Sequence, residues 1–185
     1  MNNHLNQESW LKQYYALRAA FSIAWVIAAL TAGQHSWLLG AVLLVVYPAW
    51  DAVANFIDAA RNGGLGQNRS QAINFGVSLA TALAVALSLQ NMQAVLGVFG
   101  AWAIIAGLLQ LATGAGRRQS AGAQWAMILS GGQSALAGGA FIFQALHTAQ
   151  PPALATVVGY AGFGAFYFLL SALWLTVSAR RRKSA

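Results

Sequence analysis

The chain has 185 residues, of which 58% are hydrophobic and 7% charged, whereas soluble domains carry roughly 25% charged residues. So few charges exclude a water-soluble globule, and the absence of Cys excludes a disulfide framework, a thiolate metal site and a Cys nucleophile. The net charge of +7 would suggest nucleic acid in a soluble protein; here topology accounts for the basic residues, and no nucleic-acid partner is expected.

No Asp, Glu, Lys or Arg occurs between Arg18 and Asp51, between Arg69 and Arg117, or between Arg118 and Arg180. These blocks hold several spans of roughly 20 residues each, and a chain in hydrocarbon must satisfy its backbone hydrogen bonds internally. Divided at Gly, Pro and amide-rich breaks, they predict membrane-spanning helices over residues 14–31, 37–57, 72–89, 94–113, 125–146 and 154–179. The expected fold is an all-α integral membrane protein, one polytopic domain over residues 1–185.

In the first helix Lys12 and Arg18 precede an apolar core ending in Thr31-Ala32-Gly33, a pattern shared with secretory signals; its repeat partners favour retention over cleavage. The connections at residues 32–36, 90–93 and 147–153 contain no Lys or Arg, so all ten basic residues fall on the opposite face. By the positive-inside rule that face is cytoplasmic, with both termini inside. The Arg180-Arg181-Arg182-Lys183 run then acts as a stop signal with attraction to anionic headgroups, so membrane lipid is an expected partner. A second copy of the chain is a further candidate.

Internal repetition organises the spans. With the second, fourth and sixth helices aligned on Gly40, Gly97 and Gly159, the basic residues Arg61, Arg118 and Arg180 fall into register without a gap. This predicts three helical hairpins, approximately residues 13–61, 69–118 and 124–180, around a pseudo-threefold axis. Gly97, Gly100, Gly131, Gly132, Ala135, Gly138, Gly139, Gly159, Gly162 and Gly164 are candidates for close helix approach, since lipid offers no hydrophobic drive for association. Gly63-Gly64-Leu65-Gly66 follows a helix and lacks a Walker lysine, which favours cap-and-turn chemistry over phosphate binding.

Ionisable and polar groups inside a span are the best functional pointers. Tyr47, Asp51, Asn55 and Asp58 form one stripe of the second helix, where Pro48 frees the carbonyl of Leu44. Asp51 and Arg18 have matched depth, which is consistent with a structural ion pair, with proton or ion handling by Asp51, or with separate snorkelling to the interface. Asn74, Gln110, Gln133 and Gln144 either bond across helices or line a polar path. Trp10, Trp37, Trp125 and Trp174 suit interface anchors; Trp25, Trp50 and Trp102 lie deeper, as packing residues or an aromatic cage. His35 and His147 in the outer turns are candidates for pH sensing.

Tyr47-Pro48-Ala49-Trp50-Asp51, followed by Asn55, Asp58 and Arg61-Asn62-Gly63-Gly64, resembles bacterial membrane proteins of the HdeD-like, short-repeat family. Leu96-Gly97-Val98-Phe99-Gly100-Ala101-Trp102 and Gln124-Trp125-Ala126-Met127-Ile128-Leu129-Ser130-Gly131 are similar to that group as well. The resemblance implies a six-helix protein of the bacterial inner membrane, with better-known relatives linked to acid-stress resistance. It supplies no catalytic residues and no cofactor.

With three acidic residues and no Ser-His-Asp, paired-carboxylate or metal-ligand constellation at one depth, no enzymatic activity, catalytic residue, metal or cofactor is expected. Two functions remain in view: a membrane component for stress tolerance or partner binding, and a small proton, ion or solute channel or transporter built on the Asp51 stripe. A water-filled path reaching Asp51 from both faces of the bilayer would favour the second, and a dry, packed interior the first.

Overall fold

A computed structural model describes the backbone of residues 2–117 and 124–183 and the side chains of residues 7–117 and 124–181. The described residues contain no strand and form α1 (Asn2–Ala28), α2 (Trp37–Arg61), α3 (Arg69–Ser88), α4 (Met92–Arg117), α5 (Gln124–His147) and α6 (Leu154–Lys183). All 6 are long and apolar enough to cross a membrane, and the chain is an all-α membrane protein. Large apolar side chains such as Leu87 and Leu136 face outward, as a lipid-facing surface requires.

Local chemistry sets the helix ends. Ser36 caps α2 by accepting from Leu39 N–H at 3.4 Å, and the Asn91 side chain caps α4 by accepting from Ala94 N–H at 3.0 Å. At its other end α2 runs on to Arg61, beyond the expected residue 57, because Asp58 is buried and bonded rather than facing an aqueous loop. It stops where Gly63 and Gly64 take φ of 97° and 90°. Gly64 N–H donates to Ala59 O at 2.8 Å, closing the helix in a Schellman motif. α1 starts at Asn2 rather than near residue 14 and ends in a wider π-helical turn, Ala29–Gly33.

The helices close into a ring in chain order, each against its sequence neighbours and α1 against α6. α4–α5 is the closest pair, followed by α1–α6 and α2–α3, while α1–α2 and α5–α6 are looser. Small residues explain the tightest contact: a Cβ on Gly100 would sit 2.8 Å from Gly138 O, and one on Gly107 would sit 2.6 Å from Gly131 O. Only bare backbone permits that approach. Gly107 and Gly114 complete a row with Gly100 at intervals of seven residues, the period of a left-handed antiparallel pair.

Long side chains bridge the other seams. Across α1–α2, Trp25 Nε1 donates to Leu43 O at 2.8 Å, and Phe21 stacks on Trp50 with ring centroids 4.5 Å apart. Across α3–α4, Trp102 Nε1 donates to Ser78 Oγ at 2.9 Å, and Ser70 Oγ bonds Thr113 Oγ1 at 2.7 Å. Across α5–α6, Ser134 Oγ and Tyr160 OH are 2.7 Å apart. Close pairs held apart by aromatic and polar spacers leave room at the ring's axis.

The aligned glycines do different work: Gly40 abuts Gly33 O, Gly97 faces Ala145, and Gly159 borders the axial space. Arg118, the middle residue of the expected basic register, lies outside the described residues. Arg61 sits 4.9 Å from the Trp10 ring centroid.

Candidate functional site

Arg18 and Asp51 meet in an ion pair between α1 and α2. Asp51 is ten residues from the end of α2, about 15 Å at 1.5 Å per residue, deeper than a helix ending at residue 57 would place it. Arg18 is therefore an interior charge and not one of the residues that mark the basic face. Direct contact also excludes separate snorkelling.

Asp51 is 6% exposed, and a charge at such a place is costly unless neighbours replace its water. One carboxylate oxygen accepts from Arg18 Nη2. The other accepts from Ser78 Oγ at 2.7 Å and Asn55 Nδ2 at 3.0 Å. Asn55, one turn along α2, also donates to Asp51 O at 2.8 Å, so it fixes the carboxylate against its own helix. Arg18 Nη1 donates to Tyr14 OH at 2.9 Å, and its guanidinium carbon lies 4.2 Å from the Phe168 ring centroid. With the Trp102 to Ser78 bond, the network joins α4, α3, α2, α1 and α6.

The rest of the α2 stripe divides. Asp58, 2% exposed, belongs to a second centre nearer the basic end. Its Oδ1 accepts from Trp10 Nε1 at 3.2 Å and Asn62 Nδ2 at 2.9 Å, and its Oδ2 from Arg117 Nη2 at 2.8 Å and Gln71 Nε2 at 3.1 Å. This ties α1, α2, α3 and α4 together. Trp10 is a member of this centre, whereas Trp37, Trp125 and Trp174 are exposed on the outer surface.

Tyr47 faces the axial space, a cavity of about 220 Å³ to which every helix contributes. α1 supplies Arg18 and Ser22, α2 supplies Tyr47, Trp50 and Asp51, α3 supplies Asn74, and α4 supplies Trp102 and Gln110. The α5–α6 side is formed chiefly by Ser130, Gln133, Ser134, Tyr160, Phe163 and Tyr167. The wall is thus mostly rings and uncharged polar groups, with one balanced ion pair. Arg18 Nε, Trp50 Nε1 and Asn74 Oδ1 are buried without a protein hydrogen-bond partner. Such atoms are uncommon in folded proteins; these three belong to wall residues of one cavity, and a fourth, Ser171 Oγ, lies away from it.

Three amides expected as weaker candidates, Asn74, Gln110 and Gln133, all line this cavity, and Gln110 Nε2 also donates to Met127 O at 3.3 Å. Gln144 does not border it. Near Pro48, Trp25 bonds the carbonyl of Leu43, one residue before the one that proline frees. His35 and His147 are exposed at the short-turn end, away from the cavity, and the His147 ring stacks on Phe143 at 4.4 Å. No group of three or more His, Cys, Asp or Glu among the described residues is placed to hold a metal ion.

Sequence reasoning did not single out Ser78, Ser134, Tyr160, Phe163 or Phe168, and it met Ser130 only within a stretch of family resemblance. A hydroxyl or ring in an apolar helix carries no one-residue signal, and their roles emerge only from the neighbours that the ring supplies. Arg117 counted as a topological residue, although its partner Asp58 belonged to the stripe already noted. No family model, curated protein or solved structure matches the chain.

Proposed function

We propose that the chain is a non-enzymatic multi-pass protein that holds a small molecule in the axial cavity of its six-helix ring, with Tyr47 and Asp51 of the α2 stripe in the wall. The observation that carries this reading is a cavity to which every helix contributes, walled by rings, uncharged polar side chains and one balanced ion pair, with Arg18, Trp50 and Asn74, three wall residues that each hold a buried polar atom without a protein partner. The Arg18–Asp51 pair is then both a structural cross-brace and a polar patch of the wall.

We further propose kinship with the HdeD-like proteins, a bacterial inner-membrane location and cytoplasmic termini. Kinship rests on the sequence resemblance alone, whose residues include Tyr47, Trp50, Asp51, Trp102 and Ser130. Orientation rests on the clustering of basic residues. An acid-tolerance or partner-binding role draws on the resemblance alone, so the cavity is the better-supported basis for function.

The chain has no Cys, so single-cysteine labelling needs no background removal. Ser130→Cys places a thiol on the cavity wall, and Ser171→Cys places one in packed interior, at a residue 0% exposed. In proteoliposomes N-ethylmaleimide should modify the first and spare the second. Equal inertness of the two thiols would overturn the reading.

A further inference from the structure

The ligand's chemical class and its way in follow from the α5–α6 side of the ring. Gly159 and Phe163 line the axial cavity and also line an apolar groove with Gly162 and Phe166 on the ring's outer surface. Phe163 is 56% exposed, and a Cβ on Gly159 or Gly162 would meet nothing within 4 Å. α5–α6 is among the looser seams, with the Ser134 to Tyr160 hydrogen bond as a side-chain bridge. One ring and one bare backbone position thus separate the cavity from the surface that faces lipid.

The wall chemistry selects against a charged occupant. Arg18 is neutralised by Asp51, and the other polar wall groups, among them Ser22, Asn74, Gln110, Ser130 and Gln133, carry no charge. An ion entering such a site would give up its water for no counter-charge. An uncharged ring can stack on Trp50, Trp102 and Tyr160 and bond through a polar substituent to the hydroxyl and amide side chains of the wall.

Building on the reading of the cavity as a binding site, we propose that it takes an uncharged, ring-containing, lipid-soluble molecule that enters sideways from the bilayer between α5 and α6, past Phe163. The Phe163 ring is the gate, and the glycines beside it leave the space into which it turns.

The test uses Ala137→Cys, a cavity-wall position on α5, in proteoliposomes. Two reagents compete for the thiol: N-phenylmaleimide, neutral and lipid-soluble, and sulfonatoethyl methanethiosulfonate, anionic and confined to water. N-phenylmaleimide should react faster relative to an unfolded control, Phe163→Ala should speed it severalfold, and Phe163→Trp should slow it. Leu136→Cys, 78% exposed on the outer face, should react at a rate that Phe163 does not alter. Phe163→Leu serves as the milder gate variant if Phe163→Ala fails to elute as a folded species. Modification by the anionic reagent alone, or maleimide rates indifferent to residue 163, overturns the lateral route and leaves the cavity standing. If neither reagent reaches Ala137→Cys while Leu136→Cys is modified, the binding-site reading falls, and this inference with it.

Discussion

Replacing either member of the Arg18–Asp51 pair should cost more than replacing both. Asp51→Asn keeps the side chain's shape and its contact with Ser78, but leaves the Arg18 guanidinium without a counter-charge in a site where Asp51 is 6% exposed. Arg18→Met leaves the carboxylate with only Ser78 and Asn55 as donors. Breaking a buried pair from one side costs about 3 to 5 kcal/mol, because the survivor is a desolvated charge. The double variant loses the pair and the Arg18 to Tyr14 hydrogen bond but strands no charge, so its loss should be about 1 to 2 kcal/mol. Equilibrium unfolding of the three variants in mixed micelles by titrated sodium dodecyl sulfate, at neutral pH, measures all three. A double variant that loses the sum of the single losses would refute the reasoning, since the two charges would then be independent.

The α4–α5 seam supplies a neighbouring-residue control: Gly138→Ala drives a Cβ to 2.5 Å from Gly100 O and should destabilise by about 1 to 3 kcal/mol. Gly139→Ala, with nothing within 4 Å, should hold or raise the same unfolding midpoint, by up to about 1 kcal/mol of helix propensity. At the turn after α2, Gly63→Ala meets both a φ of 97° and the Gln67 side chain at 2.5 Å; a loss of about 1 to 2 kcal/mol is expected, and faster proteolysis at residues 62–68 would report it. Trp102→Phe keeps the ring but removes the donor to Ser78, for an expected loss of about 1 kcal/mol in the same titration.

The helices were legible because hydrocarbon imposes a simple demand: each span must bond its own backbone and show lipid an apolar face. Residues such as Leu87 and Leu136 satisfy that demand independently of any partner. The Arg18–Asp51 pair was legible for a related reason, since an interior charge needs a counter-charge and only one acidic residue stood at its depth. The order of close pairs around the ring was less accessible. Short turns suggested that α1–α2 and α5–α6 would pack as tight hairpins, yet chain connection fixes proximity and side-chain size fixes closeness. The row Gly100, Gly107 and Gly114 opposite Gly131 and Gly138 draws α4 and α5 together, whereas Trp25, Phe21 and Trp50 hold α1 off α2. The seven-residue spacing of those glycines was the available signal.

The cavity was harder to foresee, because it is a property of what the ring leaves unfilled. Asn74, Gln110 and Gln133 were recognisable as amides in apolar helices, with nothing in their spacing to show that α3, α4 and α5 turn them toward one space. Trp50 and Tyr160 joined them for the same reason, as spacers too large for the helices to close over.

The most direct test of the account is the density inside the ring when the protein is imaged in a lipid bilayer at a resolution that shows ordered water. Non-protein density is expected in the cavity, against the side chains of Trp50, Asn74, Trp102 and Tyr160. An empty, collapsed axis, with Tyr160 and Phe163 packed against Trp50 and Trp102, would contradict the account.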